Sequence, residues 1–187
     1  VNLILFGPPG AGKGTQSRYL VKKLNGFQIS TGDMLREEIQ NNTKIGKKII
    51  NDMDDGKFVS DEIVNELIEK VIFDPNNKNR LIFDGYPRSL NQAKNLEILL
   101  KNSNQKIDFI FFLNVNKDTI IKRIEKRKAL EKRSDDDFGT ILKRYDTYME
   151  TTKPVLDFYS KNSNFCEIDG TLEITEITAK IDAFINV

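Results

Sequence analysis

The segment FGPPGAGKGTQ (Phe6–Gln16) decides the fold, because it joins an apolar run to a helical pattern through a glycine-rich loop. Gly7, Gly12 and Lys13 have the spacing G-x-x-x-x-G-K, between a predicted strand and a predicted helix. In such a loop successive backbone N–H groups surround an anion, and the helix N-terminus and the lysine add positive charge. The segment therefore predicts a phosphate site. Gly14 stands where a hydroxyl residue is usual, so we expect a metal ion there to be held more by phosphates and water than by protein.

The composition is that of a soluble globular domain with a single core. The chain has 187 residues, of which 39% are hydrophobic and 30% charged. No apolar run approaches the ~20 residues that cross a bilayer, and the N-terminus lacks signal-peptide features. The net charge of +1 gives no reason to expect a nucleic acid or a membrane as partner. The single cysteine, Cys166, excludes an internal disulfide and fits a cytoplasmic protein, with its thiol buried.

Apolar runs of strand length alternate with helical patterns along the chain. The predicted strands are 2–6, 27–30, 80–84, 108–115 and 164–169, and the predicted helices are 13–24, 61–73, 89–101, 117–130 and 173–185. The strands are almost continuously apolar, as parallel strands covered on both faces are. The alternation predicts an α/β fold with a parallel sheet.

Three further stretches complete the prediction. Residues 138–160 read as one long amphipathic helix that Pro154 kinks. Residues 30–60 read as two short polar helices, and residues 127–137 are almost wholly charged. We expect the last two stretches to be excursions over the open edge of the sheet.

An acidic residue closes one of the predicted strands. Asp84 ends the run RLIFD, where a carboxylate can orient water around a metal ion beside nucleotide phosphates. The alternative is a turn aspartate before Gly85, and the residue alone leaves both open.

Arginine is used sparingly, with 8 arginines against 21 lysines, so its positions carry information. Six of the eight fall in three clusters that could face phosphates: Arg36, Arg88, Arg123, Arg127, Arg133 and Arg144. Together with Lys13 they indicate two polyphosphate-sized ligands brought end to end. Phosphoryl transfer depends on positioning and charge neutralisation, so a chain without histidine is adequate for it. Any single arginine could equally be a solvated charge or half of an ion pair.

These motifs resemble those of the adenylate kinases over the whole chain. The matching blocks are GPPGAGKGTQ (7–16), STGDMLR (30–36), GKFVSDE (56–62), DGYPRSLNQA (84–93), RIEKR (123–127), RSDD (133–136) and DGT (169–171). The resemblance implies a P-loop three-layer sandwich with a five-stranded parallel sheet. It implies a core of 1–29, 60–126 and 138–187, an AMP-binding domain of 30–59 and a short lid of 127–137. It also implies a monomer that transfers a phosphoryl group reversibly from ATP to AMP with Mg²⁺, gives two ADP and maintains the adenine nucleotide balance.

The resemblance also assigns roles by matched position. ATP would be held by Gly10, Ala11, Gly12, Lys13, Gly14, Thr15, Arg123, Arg127 and Leu172. AMP would be held by Thr31, Arg36, Lys57, Phe58, Val59, Gly85, Tyr86, Pro87, Arg88, Gln92, Arg133 and Arg144. Lys13, Arg88, Arg123, Arg133 and Arg144 would be catalytic, and Asp84 would hold Mg²⁺ through water. Only KALEK separates Arg127 from Arg133, so a short lid without zinc is expected.

Two alternatives remain from sequence. UMP/CMP kinases share many of these motifs but usually carry Ala at position 31 and Asn at position 89, whereas the Thr31 hydroxyl can bond the adenine edge. A sensor that binds ATP without transfer, or a plain ATPase, would be expected to lose the arginines on the acceptor side. Those arginines are present here.

Overall fold

The computed structural model describes residues 1–54, 59–131 and 138–186. The strands in these ranges are β1 (Leu3–Phe6), β2 (Phe27–Ser30), β3 (Leu81–Asp84), β4 (Phe109–Asn114) and β5 (Phe165–Asp169). The α-helices are α1 (Lys13–Leu24), α2 (Thr31–Gln40), α3 (Lys44–Asp54), α4 (Asp61–Ile72), α5 (Leu90–Asn102), α6 (Lys117–Glu131), α7 (Phe138–Ser160) and α8 (Ile174–Ile185). The predicted order of strands and helices is confirmed, and each predicted boundary lies within one residue of the observed one.

The five strands form one parallel sheet in the order β2-β3-β1-β4-β5. On the central strand, Ile4 and Phe6 point into a core built with α4, α5 and α7. Leu3 and Leu5 point to the other face, where α1, α6 and α8 supply most of the packing. Side chains that alternate between two cores give a sheet between two helical layers. The predicted α/β class and five-stranded parallel sheet are therefore confirmed.

The register of the sheet brings two loops together. Leu5 of β1 and Ser30 of β2 both lie beside Asp84, the last residue of β3. In a parallel sheet the carboxyl ends of all strands lie along one edge, and ligands of doubly wound folds bind in the crevice outside that edge. The loop that follows β1 and the turn that follows β3 thus meet at one place.

Some details differ from the sequence prediction. Helix α6 runs through Glu131 and so continues into the charged stretch that was predicted to be an excursion. Helix α7 is a single helix with Pro154 inside it, and the predicted kink stays a prediction. Cys166 is half-buried rather than fully buried, and burial raises the pKa of its thiol. Within the described ranges, no helix combines the length and apolar character needed to cross a membrane.

The two short helices α2 and α3 pack closely on each other beside the sheet. Leu35 and Ile49, one from each helix, form a small apolar cluster with Leu67 of α4. The helices approach at Gly46, where an added Cβ would overlap the carbonyl of Glu38 and lie within 2.8 Å of the backbone nitrogen of Ile39. The close approach therefore requires glycine at this position.

We predict that Gly46→Ala destabilises the α2–α3 pair. In an open helix this change gains about 0.5–1 kcal/mol, but overlap with a neighbouring backbone costs about 1–3 kcal/mol. Hydrogen exchange should therefore quicken in α2 and α3 while the sheet keeps its protection. The exposed Lys47→Ala in the same helix is the control. Unchanged exchange in α2 and α3 of Gly46→Ala would contradict the packing argument.

Candidate active site

The loop after β1 leaves open space at the start of α1. Gly10 and Gly12 both have φ of +85°, a left-handed conformation that glycine adopts without strain. Gly12 is the N-cap of α1, and an added Cβ there would meet nothing within 4 Å. The first N–H groups of α1 have no intrahelical acceptor, so they can bind an anion in this space. Gly10, Gly12 and Lys13 thus lie together at the N-terminus of α1, and their role in binding phosphate stays a prediction.

Lys13 forms an ion pair with Asp84 across the carboxyl edge of the sheet. The other oxygen of Asp84 accepts a hydrogen bond from Nε2 of Gln28 on β2, at 3.0 Å. The Asp84 side chain is 12% exposed and that of Lys13 is 24% exposed. Sequence reasoning selected Lys13 and Asp84 but missed Gln28, whose only signal was a polar residue near the end of a strand. Asp84 is thus not a free turn aspartate, because it contacts the loop lysine.

Gly85 separates two cations that face the same space. An added Cβ on Gly85 would lie 3.5 Å from Nη2 of Arg88 and 3.9 Å from Nζ of Lys13. The guanidinium of Arg88 is held there because its Nε donates to the carbonyl of Gly85 at 2.8 Å. A phosphate oxygen at that point would be within reach of both cations.

A cavity of about 630 Å³ lies over the loop, between it and α7. Among the described residues that line it, the charged ones are all basic: Lys13, Arg88, Lys143 and Arg144. The remaining lining comes largely from threonines and Tyr148 of α7 and from backbone of the loop. A cavity with basic walls and hydroxyl donors suits a polyanion such as a nucleotide polyphosphate. We call it the phosphate cavity.

A second cavity of about 480 Å³ adjoins α2, α4 and α5. Aliphatic side chains of Leu35, Val59 and Val64 form its walls, and Thr31 and Gln92 contribute polar atoms. Thr31 is 7% exposed and Gln92 is 5% exposed. Apolar walls with a few fixed polar groups are typical of a site for a flat base. We call it the acceptor cavity.

Arg88 lines both cavities, and so does Thr151 of α7. The backbone of the Gly85–Arg88 turn leads from one cavity to the other, with Tyr86 fully buried beneath it. Burial raises the pKa of the Tyr86 hydroxyl far above its usual value, so it stays neutral. The arrangement can therefore hold two ligands whose anionic ends meet at Arg88.

Several predicted site residues contact protein groups in this structure. Arg36 is exposed and pairs with Asp33 on its own helix. Arg123 donates to the carbonyls of Gly10, at 2.9 Å, and Gly170, so it joins the phosphate loop to the loop after β5. Other predicted residues differ in their exposure to solvent. Ala11 and Pro87 are buried and Leu172 is half-buried, whereas Gly14 and Arg127 are exposed. Lys57, Phe58 and Arg133 lie outside the described residues.

The oxygen donors near Lys13 fit a Mg²⁺ ion that arrives with a nucleotide. Asp84 offers a carboxylate to the ion, whereas Gly14 has no side-chain oxygen. The Thr15 hydroxyl accepts a hydrogen bond from Arg18 at 3.4 Å. Mg²⁺ is typically held by one or two carboxylates together with substrate phosphates and water. In the described part of the chain, three or more His, Cys, Asp or Glu side chains nowhere come together as a metal-binding group.

Tyr148 of α7 contacts the loop after β1 through its hydroxyl. Sequence reasoning did not select this residue. Its hydroxyl accepts a hydrogen bond from the backbone N–H of Gly7 at 2.8 Å. Burial raises the pKa of Tyr148 to about 12, so the hydroxyl is neutral at physiological pH. The helical pattern of α7 placed this tyrosine on the apolar face, and nothing in the pattern indicated that its hydroxyl reaches the loop.

The fold and the loop define a nucleotide-binding α/β protein of the P-loop type. The sequence pattern of the family described as "Adenylate kinase" matches residues 5–164. A protein named "Adenylate kinase" from Pelagibacter ubique is 48% identical, with all of both chains covered. Relatives of the same name are 43% identical in Mycoplasma mycoides, covering 90% of this chain and 91% of the relative, and 40% identical in a Caulobacter species, covering 100% and 99%. The chain belongs to the adenylate kinase family.

We predict that Tyr148→Phe weakens ATP binding. The change leaves the Gly7 N–H without its acceptor, which costs about 1–3 kcal/mol for a buried donor and loosens the loop. The Kd for ATP, measured by calorimetry, should rise several-fold, while the Kd for AMP changes little.

The matched control is Tyr145→Phe, one turn earlier on α7. The Tyr145 hydroxyl donates to the carbonyl of Val115 at 2.7 Å, away from the phosphate loop. This variant should lose similar stability without changing the Kd for ATP. Equal changes in ATP affinity for the two variants would mean that Tyr148 acts only through general stability.

Proposed function

We propose that this protein is an ATP:AMP phosphotransferase that converts ATP and AMP reversibly into two ADP with Mg²⁺. The single observation that carries the proposal is the position of Arg88 on the wall of both cavities. The phosphate cavity begins at the loop that would hold the ATP phosphates, and the acceptor cavity has the apolar walls of a base site. Two nucleotides seated in them would have their phosphates on the two sides of one guanidinium.

The chain's own residues would act on the reaction by holding and neutralising phosphates. Lys13 and the N–H groups of the loop would bind the donor phosphates, and Arg88 and Arg144 would contact the group in transfer. Such a reaction needs in-line positioning and charge stabilisation more than a strong base. The absence of histidine from the sequence is compatible with this chemistry.

Mg²⁺ would be held beside Asp84, the last residue of β3, at the carboxyl edge of the sheet. When bound, the ion would neutralise charge that develops on the phosphate oxygens. Gln28 would keep one oxygen of Asp84 oriented, and the other oxygen, which contacts Lys13 in this structure, would be available to the ion. Lys13 would bind the phosphates in the cavity.

Two segments would exclude water from the transferring group. The pair α2–α3, within the predicted AMP-binding domain 30–59, borders the acceptor cavity through Thr31 and Leu35. The predicted lid, 127–137, begins within α6, and its residues 132–137 lie outside the described ranges. Closure of such segments prevents hydrolysis of a reactive phosphoryl donor.

The cellular setting follows from the same proposal. We expect a cytoplasmic, monomeric enzyme that maintains the balance of adenine nucleotides and acts on ATP, AMP and ADP. A single free cysteine is compatible with a reducing cytoplasm.

The choice of AMP as acceptor is tested by substrate competition. Purified protein with MgATP should form ADP from AMP at least tenfold faster, by kcat/KM, than it phosphorylates UMP or CMP. Faster turnover of UMP or CMP would support the pyrimidine nucleotide kinase instead. ATP hydrolysis without any dependence on a nucleoside monophosphate would point to a plain ATPase.

Arg88→Ala tests the role of the shared arginine. Loss of a charged contact to the transferring group should lower kcat by at least a hundredfold, in line with the roughly 2.7–4 kcal/mol that such electrostatic groups supply. The matched control is Arg80→Ala, at the opposite end of β3, where the guanidinium bonds the carbonyls of Asn25 and Asn76. That variant should keep its kcat below its unfolding temperature. A folded Arg88→Ala enzyme with near-wild-type kcat would refute the assignment.

A further inference from the structure

The side-chain amide of Gln92 is held at both ends by the protein. Its Nε2 donates to Oδ1 of Asp61 at 2.8 Å, and its Oε1 accepts from the backbone N–H of Arg88 at 2.7 Å. Gln92 is 5% exposed and lies in the first turn of α5, on the wall of the acceptor cavity.

These two partners allow only one orientation of the amide. A carboxylate accepts hydrogen bonds, and a backbone N–H donates them. A flipped amide would set its oxygen against the Asp61 carboxylate and its NH₂ group against the Arg88 N–H. An acceptor would then face an acceptor and a donor would face a donor, in place of two hydrogen bonds. In a buried site this loss carries a large free-energy cost. The amide is therefore locked, with one N–H and one oxygen lone pair left for a ligand.

Asp61 is itself fixed in place. The hydroxyl of Ser89 donates to its Oδ2 at 3.2 Å, and the same hydroxyl accepts from the backbone N–H of Gln92 at 3.1 Å as the N-cap of α5. Asp61 is the first residue of α4, so the network joins the starts of two helices. Its members are held by rigid elements rather than by a loop.

We infer that Asp61 is a positioning residue that fixes the orientation of the Gln92 amide and thereby selects a 6-aminopurine over a 6-oxopurine as acceptor. The inference rests on the proposed function, in which the base of AMP occupies the acceptor cavity. Adenine offers an amino donor at C6 and an acceptor at N1, whereas hypoxanthine offers an oxygen acceptor at C6 and a donor at N1. If both bases bind in the same pose, adenine and hypoxanthine require opposite orientations of the Gln92 amide. The fixed amide provides only one of these orientations.

AMP and IMP test the inference, because they differ only in this donor and acceptor pattern. In Asp61→Asn the residue at position 61 can present either an oxygen or an NH₂ group to Gln92, so one half of the lock is lost. The ratio of kcat/KM for IMP to that for AMP should rise on the order of tenfold, the discrimination that one charged hydrogen bond supplies. An unchanged ratio in the folded variant would overturn the inference, and so would a wild-type enzyme that uses IMP as well as AMP.

Two controls separate positioning from helix stability. Glu62→Gln removes an equal charge from the same first turn of α4. Ser60→Ala removes the N-cap of α4 but leaves the bonds that Asp61 makes to Ser89 and Gln92. Both changes should lower stability without changing the IMP to AMP ratio. A rise in either control equal to that in Asp61→Asn would show that the ratio follows stability.

A measurement on the wild-type protein tests the lock without any turnover. ¹⁵N relaxation of the Gln92 side-chain amide should give an order parameter near the ~0.85 of rigid groups, and a value below ~0.6 would overturn the inference. This measurement depends neither on the reaction nor on the folding of Asp61→Asn, because it is made on the wild-type protein. If the enzyme formed no ADP from AMP while the amide was rigid, the proposed function would fail and the lock would stand. In that case selection of a 6-aminopurine would have to be measured as AMP against IMP binding, and equal affinities would overturn it.

Discussion

The pairing of β1 with β3, which sets Leu5 beside Asp84, is the constraint on which the site depends. Because the strands are parallel, the loop after β1 leaves the sheet at the same edge as the turn after β3. Lys13 can therefore reach Asp84, and Gly85 lies between Lys13 and Arg88. A slip of one residue in this register would turn Asp84 to the other face of the sheet and separate the two.

The cations around the site have local partners that a ligand would displace. Lys13 is paired with Asp84, Arg36 with Asp33, and Arg123 donates to backbone carbonyls. An exposed ion pair such as that of Arg36 with Asp33 is worth about 0–1 kcal/mol, so a phosphate would replace it at little cost. The partly buried ion pair of Lys13 with Asp84 is harder to break, because solvent screens it less.

Most of the fold and the centre of the candidate site could be predicted from the sequence. The spacing of glycines and lysine predicted the loop at Gly12 and Lys13, and the end of an apolar run predicted the place of Asp84, because both features are local. The partners of the arginines could not be predicted in the same way. Whether Arg123 contacts a phosphate or a carbonyl depends on which loops its helix meets in three dimensions. Gln28 and Tyr148 were missed because a single polar atom on a core-facing side chain has no periodic signature.

Helix α7 contributes to both cavities of the candidate site. Arg144, Tyr148 and Thr151 stand at intervals of four and three residues, so they lie on one face of the helix. Along that face, Arg144 and Tyr148 line the phosphate cavity, Thr151 lines both cavities, and Pro154 lines the acceptor cavity. Pro154 lacks an N–H, so the carbonyl of the exposed residue Glu150 has no donor four residues later in α7. One face of a single helix therefore lines both cavities, and Thr151 is the point on α7 at which the two cavities adjoin.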